Sequence, residues 1–141
     1  AALAQLFVSQ SQSSLKEERP GLPMMVLPIN EPQEKTVTIT VSDHFAPALK
    51  SLGRAGDVLF CIDSCLSESR LIELVNLAIS KEIKIVVLSC ETHEDYRMAA
   101  HQYGICILAN AKNRAHLVEI FGITIQCLSS IIDKELFGDN K

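Results

Sequence analysis

Between residues 57 and 109 the chain alternates two kinds of apolar pattern, and this alternation most constrains its fold. "GDVLFCID", "IKIVVLSC" and "ICILA" are short and continuously apolar. Between the first two lies "SESRLIELVNLAISKE", with apolar residues at 71, 72, 74, 75, 78 and 79. Unbroken apolar runs of this length suit strands covered on both faces, and the spaced pattern suits an amphipathic helix. Strand–helix–strand repetition means βαβ units with right-handed crossovers. The expected fold class is α/β, a three-layer αβα sandwich with a mostly parallel sheet. At 141 residues the chain is long enough for one domain, 1–141, with a core of its own.

The flanking segments are read by the same rules. Leu3, Leu6, Phe7 and Val8 have helical spacing within residues 1–15, and "ERPGLP" stops that helix. "MMVLPI" reads as a short buried strand and "NEPQEK" as a polar loop. "TVTITVS" (36–42) reads as a strand on β-branched propensity. "DHFAPALKSLG" reads as a short helix with Pro47 in or near its first turn and Gly53 at its end. "THEDYRMAAHQYG" reads as a helix in which Thr92 and Asp95 have capping-box spacing. Asn110 is the expected cap of a last helix, about 111–136, which Gly138 ends.

Charge and cysteine content exclude several functions. Thirteen basic against seventeen acidic residues, net −4, leave no cationic footprint for direct nucleic-acid binding. Five cysteines, most inside apolar runs, suit reduced packed thiols in a cytoplasmic protein; without a second Cys or His pair at ligand spacing, no metal is expected. The uncharged run Ile120–Ile132 is 13 residues, short of a bilayer span, so no membrane association is expected. No G-x-S-x-G or Walker A motif occurs. Ligands of parallel sheets bind at the carboxyl ends of strands, beside helix N-termini, which directs attention to the loop after "GDVLFCI".

At that loop the chain resembles a known family. "LGRAGDVLFCIDSCLSESRLIELVNLAISKEIKIVVLS" is similar to the sugar isomerase (SIS) domain, in its phosphoheptose isomerase branch. The likeness runs from "AALAQLF" through "ERPGLP" and "GRAGDVL" to "SIIDKELF", nearly the whole chain. The resemblance implies a flavodoxin-like fold, homotetramers with sites built between subunits, and a helix where "TVTITVS" lies. The family's first helix, first strand and glycine-rich loop would fall before Ala1.

Carried across residue by residue, the family's phosphate loop corresponds to Asp63, Ser64, Cys65, Ser67 and Glu68, with Leu66 where the family has glycine. Ser64 and Ser67 keep polarity. Asp63 and Glu68 put carboxylates where a phosphate would dock; at ~4 Å two unit charges interact by roughly 1–4 kcal/mol between bulk water and a surface-like dielectric, so phosphosugar binding is disfavoured. The acidic neighbours also oppose a reactive Cys65 thiolate. The family's general-base glutamate maps to Gln10 and its last-helix histidine to Phe121. Neither an amide nor a phenyl ring can move a proton near neutral pH, so no catalytic residue and no cofactor are expected. His116 stands five residues from Phe121, on another side of the helix, and does not replace it; His44, His93 and His101 read as surface or packing residues.

Leu136 and Phe137 close the last helix. A branch member that associates with the replication initiator DnaA carries a similar pair near its end. The resemblance therefore implies a non-catalytic adaptor, a cytoplasmic bacterial oligomer that binds DnaA through Leu136 and Phe137. The alternative is a phosphosugar-binding protein or sedoheptulose 7-phosphate isomerase of the same family.

Overall fold

The structure, a computed structural model, describes residues 2–13, 19–27, 41–62, 69–90 and 104–138. These form two compact units, one from residues 2–13, 19–26 and 111–138, the other from the described part of 27–110.

The second unit carries the sheet. It contains α2 (Val41–Leu52), β1 (Val58–Ile62), α3 (Ser69–Ser80), β2 (Lys84–Cys90) and β3 (Gly104–Ala109). The strands lie in the order β1-β2-β3 and both pairings are parallel. Leu59 pairs with Ile85 and Cys61 with Val87, so period-2 alternation puts these four side chains on one face. That face is buried with Leu74, Val75 and Ala78 of α3 and Leu49 of α2. Each buried aliphatic side chain contributes about 1.5–3 kcal/mol. Along β2, Val87, Leu88, Ser89 and Cys90 are consecutively buried, the behaviour expected of a strand covered on both faces. The fold is an α/β sandwich, as the alternating pattern predicts.

Local chemistry explains the junctions. In "GRAGDVL" the Asp57 carboxylate accepts the Arg54 backbone N–H at 2.9 Å, closing a turn in which Gly56 takes φ +89°. Asp57 then accepts from the Lys84 N–H at 2.9 Å and starts the β1–β2 ladder. Gly53 ends α2, and Lys81 Nζ donates to the carbonyls of Lys50 and Gly53 at 2.6 and 2.8 Å, a cation on the free carbonyls of a helix C-terminus.

The first unit is helical. α1 (Ala2–Gln12) packs along α4 (Arg114–Phe137), burying Phe7, Val8 and Ser11 from α1 and Leu117, Phe121, Ile125 and Ser129 from α4. Gly138 stops α4 at φ +78°, its N–H bonded to the Lys134 carbonyl.

Several expectations are corrected. The cap of α4 is Asn113, whose Oδ1 accepts the His116 N–H at 2.9 Å, and not Asn110; Asn113 has the extended backbone a cap requires, three residues later than read. Val41 and Ser42 belong to α2, so the strand reading fails there, because the packing of an amphipathic helix overrides β-propensity; residues 36–40 lie outside the described residues. Pro47 is the seventh residue of α2, inside the helix, which forgoes one backbone hydrogen bond there. Residues 24–27 are not a strand. The Met24 carbonyl accepts from Gln12 Nε2 at 2.7 Å and the Met24 N–H bonds to the Leu22 carbonyl, so this backbone is used locally. Not every thiol is packed: Cys61 and Cys90 are buried, Cys106 is half-buried and Cys127 is exposed. The uncharged run understates α4, which at 24 residues, with a mean hydropathy of 1.6 over its most apolar 18, is long and apolar enough to cross a membrane by length and composition. The helix read over 92–104 and the loop 30–35 lie outside the described residues, apart from Gly104, which opens β3.

A Cβ on Gly104 would press directly against the Ile85 carbonyl oxygen of the neighbouring strand. Gly104→Ala is expected to lower unfolding stability by about 1–3 kcal/mol, the usual cost of overpacking, in a urea titration.

Candidate functional site

Two places answer to the sequence-derived site. The first is the join between β1 and α3. β1 ends at Ile62 and α3 begins at Ser69, and parallel register brings the carboxyl ends of β1, β2 and β3 to one edge of the sheet. Asp63, Ser64, Cys65, Leu66, Ser67 and Glu68 all lie outside the described residues. Beside that edge, Ser89 is fully buried, with its Oγ donating to the Cys90 carbonyl at 3.3 Å.

The second place is the α1–α4 pair, which brings together residues far apart in sequence. Gln10 is half-buried. Its Nε2 donates to Gln126 Oε1 at 2.6 Å, and its Oε1 accepts from Ser129 Oγ at 3.1 Å. Gln126 and Ser129 are one turn apart on α4, so both reach the same amide. Gln10 is thus a neutral amide whose Nε2 and Oε1 are both engaged with protein groups. Phe121 has no exposed surface. It is a core side chain, with no proton to give. His116 is exposed in the first turn of α4. His93 and His101 lie outside the described residues, and the side chain of His44 is not described. Among the described residues no group of three His, Cys, Asp or Glu side chains could hold a metal ion.

The end of the same pair holds Leu136 and Phe137, and the two differ. Leu136 is 60% exposed. Phe137 is half-buried, with the Arg19 guanidinium carbon 5.2 Å from its ring centre, within cation–π range. Arg19 Nη2 pairs with Asp133 Oδ1 at 2.8 Å. The other donors of Arg19 close off α1: Nη1 reaches the Ser11 and Pro20 carbonyls at 3.0 and 3.1 Å, and Nη2 the Gln10 carbonyl at 3.2 Å. Gly21 is required here, since a Cβ would stand 2.7 Å from the Gln12 carbonyl oxygen. "ERPGLP" is therefore more than a helix breaker. It returns a cation and a close backbone approach to the C-terminus of α1.

Sequence reasoning missed Gln126, Ser129 and the Arg19–Asp133 pair. The available signal was the presence of Gln126 and Ser129 inside an otherwise apolar run, at a spacing that puts both on one helix face.

Comparison with known proteins agrees with the resemblance. No family model matches the chain. It is 29% identical to a phosphoheptose isomerase of Thiobacillus denitrificans over 143 residues, covering 98% of this chain and 71% of that protein. It is 28% identical to the DnaA initiator-associating protein DiaA of Klebsiella pneumoniae over 142 residues, covering 97% and 71%. Among solved structures, a phosphoheptose isomerase from Francisella tularensis superposes with a TM-score of 0.76 at 26% identity, covering 94% of this chain and 71% of that one.

Truncating Phe121 to Ala removes a fully buried ring and is expected to cost about 3–5 kcal/mol of stability, read by chemical denaturation. A loss below about 1 kcal/mol would mean that the ring is not part of a packed core. The parallel sheet and the matches over almost the full chain make this chain similar to phosphoheptose isomerases and to DiaA, consistent with a divergent member of the sugar isomerase (SIS) family.

Proposed function

We propose that the chain is a non-catalytic SIS adaptor of the DiaA type, a cytoplasmic protein that associates with the replication initiator DnaA. The observation that carries this reading is the pair Gln10 and Phe121. An aldose–ketose isomerisation needs groups that take and return protons at adjacent carbons. Gln10 is held by Gln126 and Ser129, and Phe121 is wholly buried, so neither position offers such a group. Similarity to a protein named for its association with DnaA supplies the partner. Leu136, exposed at the end of α4, supplies a contact of the right chemistry, since apolar anchors of this kind dominate many interfaces. The second reading, a phosphosugar-binding protein or phosphoheptose isomerase, draws on the names of other relatives. Against it stand the two carboxylates of Asp63 and Glu68 in the loop that would take the phosphate.

The reading includes self-association. Ile123 and Ile131 are 66% and 55% exposed, and with Cys127 they repeat every four residues on one stripe of α4. That stripe lies roughly 200° around the helix from the buried Phe121 and Ile125. We read it as the surface that meets further copies of the chain and α4 as an association helix, because its other face is committed to α1 packing. No direct contact with nucleic acid or a membrane belongs to this reading.

Two measurements test it. Immobilised DnaA is expected to retain the wild type and to lose it on the double substitution Leu136→Ala/Phe137→Ala; failure to retain the wild type rejects the adaptor reading. Calorimetry with sedoheptulose 7-phosphate is expected to give no binding, whereas a micromolar Kd would favour the second reading. Separately, Ile123→Glu/Ile131→Glu is expected to shift the sedimentation coefficient from that of an oligomer to that of a single chain. An unchanged value places the self-contact elsewhere.

A further inference from the structure

The last turn of α4 is held by a residue that lies outside that helix. Arg19 is only 9% exposed at its side chain, yet among the described residues its charge is matched by one carboxylate, Asp133, itself 41% exposed. Its Nε is buried with no hydrogen-bond partner among the described residues. A lysine could satisfy Asp133 with fewer donors. What the planar guanidinium adds is simultaneous contact with Asp133, the carbonyls of Gln10 and Ser11, and the face of Phe137. Asp133 and Phe137 are one turn apart on the same side of α4, so one flat cation spans both. Leu136 is about 100° further around the helix and stays outside this contact.

We infer that Arg19 is a positioning residue for partner binding. Stacked on Phe137 and paired with Asp133, it fixes Phe137 as a platform and leaves Leu136 as the side chain that enters an apolar socket on DnaA. This rests on the adaptor reading and assigns unequal roles to two residues that the resemblance treats as a pair. A helix end that frays would present both side chains in many arrangements. Fastening the last turn to the C-terminus of α1 removes part of the ordering cost that association would otherwise carry. The anchor is then preformed, and Phe137 acts through its effect on Leu136.

The test combines affinity with a spectroscopic report of the stacking. Arginine side-chain protons above an aromatic ring are shifted upfield, so the Arg19 Nε–H signal reports the contact with Phe137. Binding to purified full-length DnaA is measured for the wild type, Leu136→Ala, Arg19→Lys and Asp133→Asn. Leu136→Ala is expected to weaken binding about tenfold or more, as for a central apolar anchor, with the Arg19 signal unchanged. Arg19→Lys keeps the charge and removes the planar stack. Asp133→Asn keeps the guanidinium and an acceptor of the same shape, removes the ion pair, and serves if the lysine variant does not fold. Asp133→Asn is expected to move the Arg19 signal toward its unstacked position and to weaken binding about three- to tenfold, at unchanged far-ultraviolet dichroism. If the signal moves and the affinity does not, Arg19 is only structural and the inference is overturned, while the adaptor reading stands. Leu136→Ala binding as tightly as the wild type overturns it as well. A wild type that does not bind DnaA rejects the adaptor reading and this inference together.

Discussion

One guanidinium fastens the helical unit. The last carbonyls of a helix have no partners of their own, and in α1 two of them, those of Gln10 and Ser11, point to Arg19. The same group takes Asp133 on α4, so the C-termini of both helices meet at one charge. Once Arg19 and Gly21 bring the chain back against Ser11 and Gln12, the Leu22 N–H reaches the Ser11 carbonyl at 3.0 Å, and the entry into residues 19–27 is set. The longitudinal placement of α1 on α4 follows, and with it the contact of Gln10 with Gln126 and Ser129. Among the described residues Asp133 is the carboxylate that balances the Arg19 charge, and its own 41% exposure keeps the pair partly solvated. Nε, buried with no partner among the described residues, represents a desolvation cost that the remaining contacts must offset.

That placement bears on what the α1–α4 pair can do. A carboxylate poised as a base is costly to hold next to another helix, because its charge must be kept partly desolvated and ready to change. Gln10 avoids that cost: its amide donates once and accepts once, both within the unit. Phe121 is a ring whose full burial contributes about 1.5–3 kcal/mol. On the adaptor reading both residues favour stability, the direction open to a scaffold once selection for proton transfer is relaxed. Shared SIS architecture therefore says little by itself about activity. Function belongs to the site carried on a fold and not to the fold.

The parts legible in the sequence were those where one physical effect dominates. β1, β2 and α3 fall where continuous or amphipathic apolar runs place them, since burial decides those segments; β3 also falls on its run, although Ile105 and Leu108 stay exposed and only Ala109 is buried. Gly138 marks a helix end at a φ of +78° that a side chain would oppose, and Gly53 marks one where a Cβ would stand 2.7 Å from the Leu49 carbonyl oxygen. The misreadings share a cause: a partner remote in sequence decides them. Met24 to Leu27 are apolar enough for a strand, but the Met24 carbonyl is taken by Gln12 and its N–H by the Leu22 carbonyl. Val41 and Ser42 have strand propensity and join a helix whose packing residues, such as Leu49, come later. Asn110 and Asn113 are equally good caps in isolation, and only the backbone path chooses between them. The loop residues Asp63 to Glu68 came from resemblance alone. Arg19 could be read as a feature of "ERPGLP" but not as a clamp, because Asp133 and Phe137 are more than a hundred residues away.

On the adaptor reading, the two exposed features of α4 work together. The stripe Ile123–Cys127–Ile131 occupies the middle and later turns, and Leu136 the end. The rise from Ile123 to Leu136 is roughly 20 Å at 1.5 Å per residue. Contact between copies through the stripe would leave Leu136 free to engage a partner, and each assembled particle would carry several such anchors. One leucine is a weak handle. Several on one particle convert later contacts into intramolecular ones, which raises avidity without any new chemistry at the contact itself. A long apolar helix with one face spent on α1 and another left for copies of itself suits that use. The loss of the proton-transfer pair and the gain of an anchored helix end can then be understood as one change of use, in which the SIS scaffold serves to space and orient contacts.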